Sequence, residues 1–363
     1  MTSQIAGLND FGQSPWYDNI TRTLVREGGL AALVRDDGIR GVTSNPTIFE
    51  KAIAGGEGYD DAIAAAKTAG DSIEATFWDL AVDDIGAGAD VLRPVYDSLD
   101  GTDGFISLEV SPLLAHDTEA TVTQAAELFA RLARPNIMIK IPATPEGIPA
   151  IERTIAAGIN VNVTLIFSLE RYGEVIEAYI SGLERLLASG GDLGSVHSVA
   201  SFFVSRVDTE TDPRLPEGSP LRGQAAVANA KLAYEQFRAS TSDARWDALA
   251  VAGAHVQRPL WASTSTKNPA YSPILYVGAL IGPDTVNTLA PASIDSLHAP
   301  GVVLRANTIT EGIAEAHQFM VDLEAAGVSF ADVTATIERE GVASFAKSYT
   351  DLLGTLESRA AAL

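Results

Sequence analysis

The sequence predicts an α/β chain folded as a (β/α)8 barrel, a single domain over residues 1–363 with helical insertions and a closing C-terminal helix. Three observations predict it. Short β-like runs alternate with longer helical patterns, and the runs number eight, the count that closes a parallel barrel. No composition break divides the chain, and 46% hydrophobic residues suffice for one large core. Neither G-x-G-x-x-G nor G-x-x-x-x-G-K-[ST] follows any run, so a nucleotide-binding doubly wound sheet has no support.

The elements follow in order. The first strand reads as 14–20, where Trp16 and Asp18 share a face. Asp18 can face the lumen at the strand's end, or equally cap the next helix. The second, 38–44, runs into Thr43-Ser44-Asn45-Pro46, and Asn-Pro marks a turn. A helical insertion follows, with helices over 59–69 and 73–87 and the glycine-rich patch Gly55-Gly56-Glu57-Gly58. The third to fifth strands read as 104–110, 136–141 and 160–167, separated by helices over 117–133 and 147–157. A helix over 169–188 leads to the sixth strand, 196–204, in which Ser201 and Phe203 share a face. The polar, proline-rich stretch 206–223 is then a lid or a solvated insertion. A helix over 224–240 precedes the seventh strand, 259–263, and the eighth reads as 301–306. Helices over 310–326 and 330–363 complete the chain; in the last, Ile337, Val342, Phe345, Tyr349 and Leu352 fall at helical spacing.

Alternate residues of a barrel strand face the helices and the lumen. Ile137, Ile139 and Ile141 share one face of the fourth strand, so Lys140 points inward with Met138. In the third, Ile106, Leu108 and Val110 face out, while Phe105, Ser107 and Glu109 face in. In the fifth, Val161, Val163 and Leu165 face out, while Asn160, Asn162 and Thr164 face in. A purely structural lumen is filled with Val, Ile and Leu. Three adjacent strands that aim Glu109, Lys140, Asn162 and Thr164 at one interior point to catalysis. Apolar neighbours favour the neutral, nucleophilic amine of Lys140, and Glu109, Thr164 and a bound water can shuttle its protons. At the far end, the hydroxyl-rich segment after the seventh strand, with Lys267, and Arg206 after the sixth suit a phosphate.

Composition excludes other classes. With no cysteine, disulfides, Cys-ligated metals and thiol nucleophiles are ruled out, and the 5 histidines form no metal-binding pattern. A net charge of −22 repels nucleic acid and anionic membrane. Residues 1–9 show no signal-peptide pattern and no run is long enough to span a bilayer, so the expected location is the cytoplasm. No cofactor is implied, and monomer and homodimer both stay open.

The segment from Ile137 to Gly147 (IMIKIPATPEG), the run from Ile159 to Ser168 (INVNVTLIFS) and Thr43-Ser44-Asn45-Pro46 together resemble the transaldolase family. The length and the 261–269 segment resemble its longer subgroup, found in actinobacteria and cyanobacteria. The resemblance implies that Lys140 forms a Schiff base with a ketose phosphate and that Asp18 takes the C4 hydroxyl proton. It implies that Glu109 and Thr164 position a water, that Asn45, Asn162 and Ser201 hold the dihydroxyacetone part, and that Arg206 and Lys267 bind phosphate; Phe203, on the Ser201 face, is a further substrate-binding candidate. Lys267 stands where many members have arginine, and Ser205 where a glycine is common; both departures touch the phosphate end. The rivals are a lyase, a fructose-6-phosphate or deoxyribose-phosphate type aldolase with the same lysine chemistry, and a non-catalytic barrel that senses sugar phosphates.

Overall fold

A computed structural model describes residues 3–56 and 58–363. Its centre is a closed barrel of eight parallel strands in sequential order. The strands are β1 (Gln13–Tyr17), β2 (Gly41–Val42), β3 (Ile106–Glu109) and β4 (Ile137–Pro142), then β5 (Val161–Ile166), β6 (Ser198–Phe203), β7 (Arg258–Ala262) and β8 (Thr285–Leu289). Helices surround it, as a parallel sheet buried on both faces requires.

Register fixes the central feature. Glu109 on β3 pairs with Lys140 on β4, and Lys140 pairs with Asn162 on β5. Ile137, Ile139 and Ile141 are fully buried on the helix side of the barrel wall. Parity therefore holds for β3 and β4. It breaks in β5: the pairing with β6 slips between Val163 and Ile166, and Leu165 takes a φ of 59°. A bulge re-aims side chains beyond it, and Leu165 reaches Gly341 of the C-terminal helix instead of continuing the outward alternation.

The eighth strand is not 301–306 but Thr285–Leu289. The 301–306 run looked apolar, yet it crosses the surface without regular structure, with Val303 75% exposed. The true β8 is Thr-Val-Asn-Thr-Leu. Its polar side chains hide it from a hydrophobic pattern, and they are buried: Thr264 Oγ1 donates to Asn287 Oδ1 at 2.9 Å. The helix read as 73–87 runs on to Ser98. A Cβ at Gly88 would lie 2.7 Å from Ile106 Cδ1, so the glycine lets this helix pack closely on β3.

The 206–223 stretch opens with a helix, Ser205–Thr211, and is tied to the body. Asp208 accepts from the Ala226 amide at 2.8 Å and from the Tyr276 hydroxyl at 2.9 Å, and Asp212 accepts from Tyr271 at 2.6 Å. In the earlier insertion, Glu57 lies outside the described residues, as do Met1 and Thr2 of the N-terminal segment. No described helix is long and apolar enough to cross a membrane.

One close approach is demanding. The Trp16 indole lies over Gly41, where a Cβ would meet ring atoms at 2.4 Å. Trp16 cannot retreat, because its Nε1 donates to the buried Asp103 at 3.0 Å. Gly41→Ala is expected to cost about 1–3 kcal/mol through overpacking, read by urea denaturation. An unshifted midpoint would show that Trp16 has room to move.

Candidate active site

A cavity of about 510 Å³ opens where the strands end at their C-terminal side. In such barrels this face carries the chemistry. Lys140 stands at its floor, with Asp18, Thr43, Asn45, Thr164, Ser201, Phe203 and Arg206 around the walls.

Lys140 is 4% exposed. Its Nζ donates to the Ser44 carbonyl at 3.1 Å and lies 3.3 Å from Glu109 Oε2. That second contact is an ion pair without hydrogen-bond alignment, which leaves Glu109 Oε2 buried with no hydrogen-bond partner among the described residues. Thr164 Oγ1 is likewise buried and unpartnered. Two such atoms beside Lys140 leave room for a bound water to bridge them. Burial pushes the Glu109 carboxyl above the usual carboxylate range, with the Lys140 charge opposing. It is therefore a better proton acceptor than an exposed glutamate.

Asp18 follows the last residue of β1, and its amide donates to the Leu289 carbonyl of β8 at 2.9 Å. That bond fixes its backbone beside the mouth. Its Oδ1 accepts from Thr43 Oγ1 at 2.8 Å. Burial raises its pKa, while the Lys140 charge, the Thr43 bond and the Lys267 charge each oppose. The helix-capping alternative fails here: Thr21, not Asp18, caps the next helix.

Asn45 serves two ends. It is the N-cap of the Pro46–Gly55 helix, accepting from the Ile48 amide at 3.0 Å, and it also lines the cavity. Asn162 differs from its neighbours. It lies beneath the floor, fully buried, and does not line the cavity. Its amide donates to Ser107 Oγ at 3.0 Å and accepts from Ser201 Oγ at 2.7 Å. It orients Ser201 from below.

The cationic end spans three elements. Arg206 lines the cavity and sits 5.7 Å from the centre of the Phe203 ring. Burial pulls its pKa down, with Glu340 opposing. Lys267 is exposed at the rim and is not among the lining residues. Burial of its stem, then the Arg206 charge, pull its pKa down; Asp18 opposes and Lys51 adds. Ser205, in the position where the family often has glycine, meets Ser263 Oγ at 2.9 Å.

Sequence reasoning missed several lining residues. Lys51, Asn19, Ser263 and Thr288 all face the cavity. So does Phe345, which the helical spacing marked only as core; its ring lies 5.8 Å from Lys140 Nζ. The Phe330–Ala362 helix thus reaches the mouth of the barrel and covers the lysine.

Fold and site together define a class: a (β/α)8 barrel with a buried lysine lining the cavity at its C-terminal mouth. Comparison with known proteins narrows it. The model of the Transaldolase/Fructose-6-phosphate aldolase family matches residues 15–356. Transaldolase 1 of Streptomyces avermitilis is 48% identical, covering 95% of this chain and 93% of its own. The transaldolase of Thermobifida fusca is 48% identical over 100% of both chains. That of Mycobacterium bovis is 47% identical over 97% of each. The chain belongs to the transaldolase/fructose-6-phosphate aldolase family.

Proposed function

We propose that the chain is a transaldolase that moves a dihydroxyacetone unit from a ketose phosphate to an aldose phosphate through a Schiff base on Lys140. Sedoheptulose 7-phosphate and fructose 6-phosphate are the donors of choice, as in the pentose phosphate pathway. The observation that carries this reading is the contact of Lys140 Nζ with Glu109 at the floor of a cavity that Asp18 also lines.

The Lys140 amine, having passed a proton to Glu109, attacks the C2 carbonyl of the donor. The carbinolamine loses water to give the imine. Glu109 Oε2 and Thr164 Oγ1, both unpartnered, suit a water that relays protons in this step. Asp18, as carboxylate, takes the C4 hydroxyl proton; the C3–C4 bond breaks and its electrons pass into the imine, giving an enamine and a free aldehyde. The enamine then attacks the acceptor aldehyde, Asp18 returns the proton, and hydrolysis frees the product. Ser201, Phe203 and Asn45 would hold the dihydroxyacetone part, with Asn162 acting through Ser201. Arg206 and Lys267 would hold the phosphate. The reaction belongs to the cytoplasm, and a chain without cysteine has no use for an oxidising compartment. No nucleic acid or membrane partner is needed, the chain works as monomer or homodimer, and it folds as one domain.

The test is acceptor dependence. With fructose 6-phosphate alone, the enamine waits for an acceptor and aldehyde release stops at about one equivalent, a burst characteristic of ping-pong transfer. Adding erythrose 4-phosphate is expected to restore full turnover. Full-rate cleavage without an acceptor would make the chain a lyase.

A further inference from the structure

We propose that Lys51 is a phosphate ligand, the third cation of a grip formed with Arg206 and Lys267 around the substrate phosphate. The proposal rests on the sugar-phosphate reading above. Its grounds are in the geometry. Lys51 lies in the Pro46–Gly55 helix, one turn beyond Ile48. Asn45, Ile48, Lys51 and Ala52 all line the cavity, the spacing of one helical face aimed at the mouth. The same helix directs its N-terminus, capped by Asn45, toward that mouth, and a helix N-terminus favours an anion.

Lys51 is exposed and makes no ion pair or side-chain hydrogen bond among the described residues. Its charge nevertheless reaches Lys267, and so does that of Arg206. Neither Arg206 nor Lys267 forms a close ion pair there either. Most arginines of this chain are paired, among them Arg22 with Asp84 at 2.7 Å and Arg134 with Asp90 at 2.7 Å. Three cations without a close carboxylate, gathered about one cavity mouth, repel one another there. A dianionic phosphate relieves that repulsion, and its oxygens can take a point charge from each side.

The three cations also differ in freedom. Arg206 is half-buried and held near Phe203, while Lys51 and Lys267 are exposed ammonium groups on flexible stems. One fixed fork with two mobile charges suits a phosphate whose distance from the reacting carbon changes between donors of six and seven carbons.

The test compares wild type with Lys51→Met, using glyceraldehyde 3-phosphate and unphosphorylated glyceraldehyde as alternative acceptors. The KM for the phosphorylated acceptor is expected to rise about tenfold, with that for glyceraldehyde moving far less, and Lys51→Arg is expected to recover most of the loss. Equal changes for both acceptors, or none for either, overturn the proposal. Inorganic phosphate binding, measured by calorimetry on both proteins, separates this outcome from a failure of the functional reading. Weaker phosphate binding by Lys51→Met supports the grip even in a chain that transfers no sugar. Unaltered phosphate binding overturns it even in an active transaldolase.

Discussion

Replacing Lys140 by methionine is expected to lower transfer by about four orders of magnitude or more, because the other lysine lining the cavity, Lys51, is exposed and has no contact with Glu109. The loss is chemical and not structural. Lys140 and Glu109 are one buried pair, and removing one partner of such a pair commonly costs about 3–5 kcal/mol by stranding the other charge. Here burial already pushes the Glu109 carboxyl toward its neutral form. Without Lys140 it takes up a proton, and the methionine stem fills the space beside Phe345. The variant is therefore expected to fold with a smaller stability loss, read by urea denaturation beside the assay. Lys140→Arg keeps the charge and the pair but cannot form the imine, so it should be stable and equally inactive. An active Lys140→Arg would remove the lysine from the chemistry.

Asp18→Asn should cost about 10²–10⁴ in kcat, the span of general acid–base contributions. Asparagine is nearly isosteric and can still accept from Thr43, so the cavity keeps its shape. The variant should form the imine and fail to break C3–C4, which borohydride trapping without turnover detects. A merely structural Asp18 would impair trapping and turnover alike. The pH dependence follows from burial. Cleavage needs the carboxylate, and the Asp18 pKa is raised. The acid limb of kcat/KM should accordingly lie above the usual carboxylate range, and it should vanish in Asp18→Asn. Stability carries the opposite sign. A carboxyl with a raised folded pKa contributes stability below its unfolded pKa, near ~4, and loses it as pH rises through the folded value. At neutral pH, Asp18→Asn should therefore be more stable than wild type, an exchange of stability for function expected at active sites.

Much of this was legible from period and parity. Ile137, Ile139 and Ile141 left Lys140 no direction but inward, and the pairing of Glu109 with Lys140 bears that out. Where the pattern failed, the physical cause is visible. β8 carries threonine or asparagine at three of its five positions, so apolar counting passed over it for the run at 301–306. The bulge at Leu165 inserts a residue that no alternation rule announces. Phe345 was legible as a core residue of the last helix, but its place above the lysine depends on how that helix crosses the barrel. Lys51 carries no signal in the sequence, because a single sequence does not say which helix face meets a cavity built from other strands. Asn162 shows the reverse: parity put it inward, and only its bonds to Ser107 and Ser201 reveal that it lies under the floor.

The most direct test of the central claim is covalent. Wild-type protein is incubated with fructose 6-phosphate, reduced with borohydride, digested and mapped by mass spectrometry. A single adduct of a reduced three-carbon or six-carbon ketose on the peptide containing Lys140 is the predicted outcome. Label on any other lysine, or none at all while transfer proceeds at full rate, would contradict the assignment of Lys140 as the nucleophile.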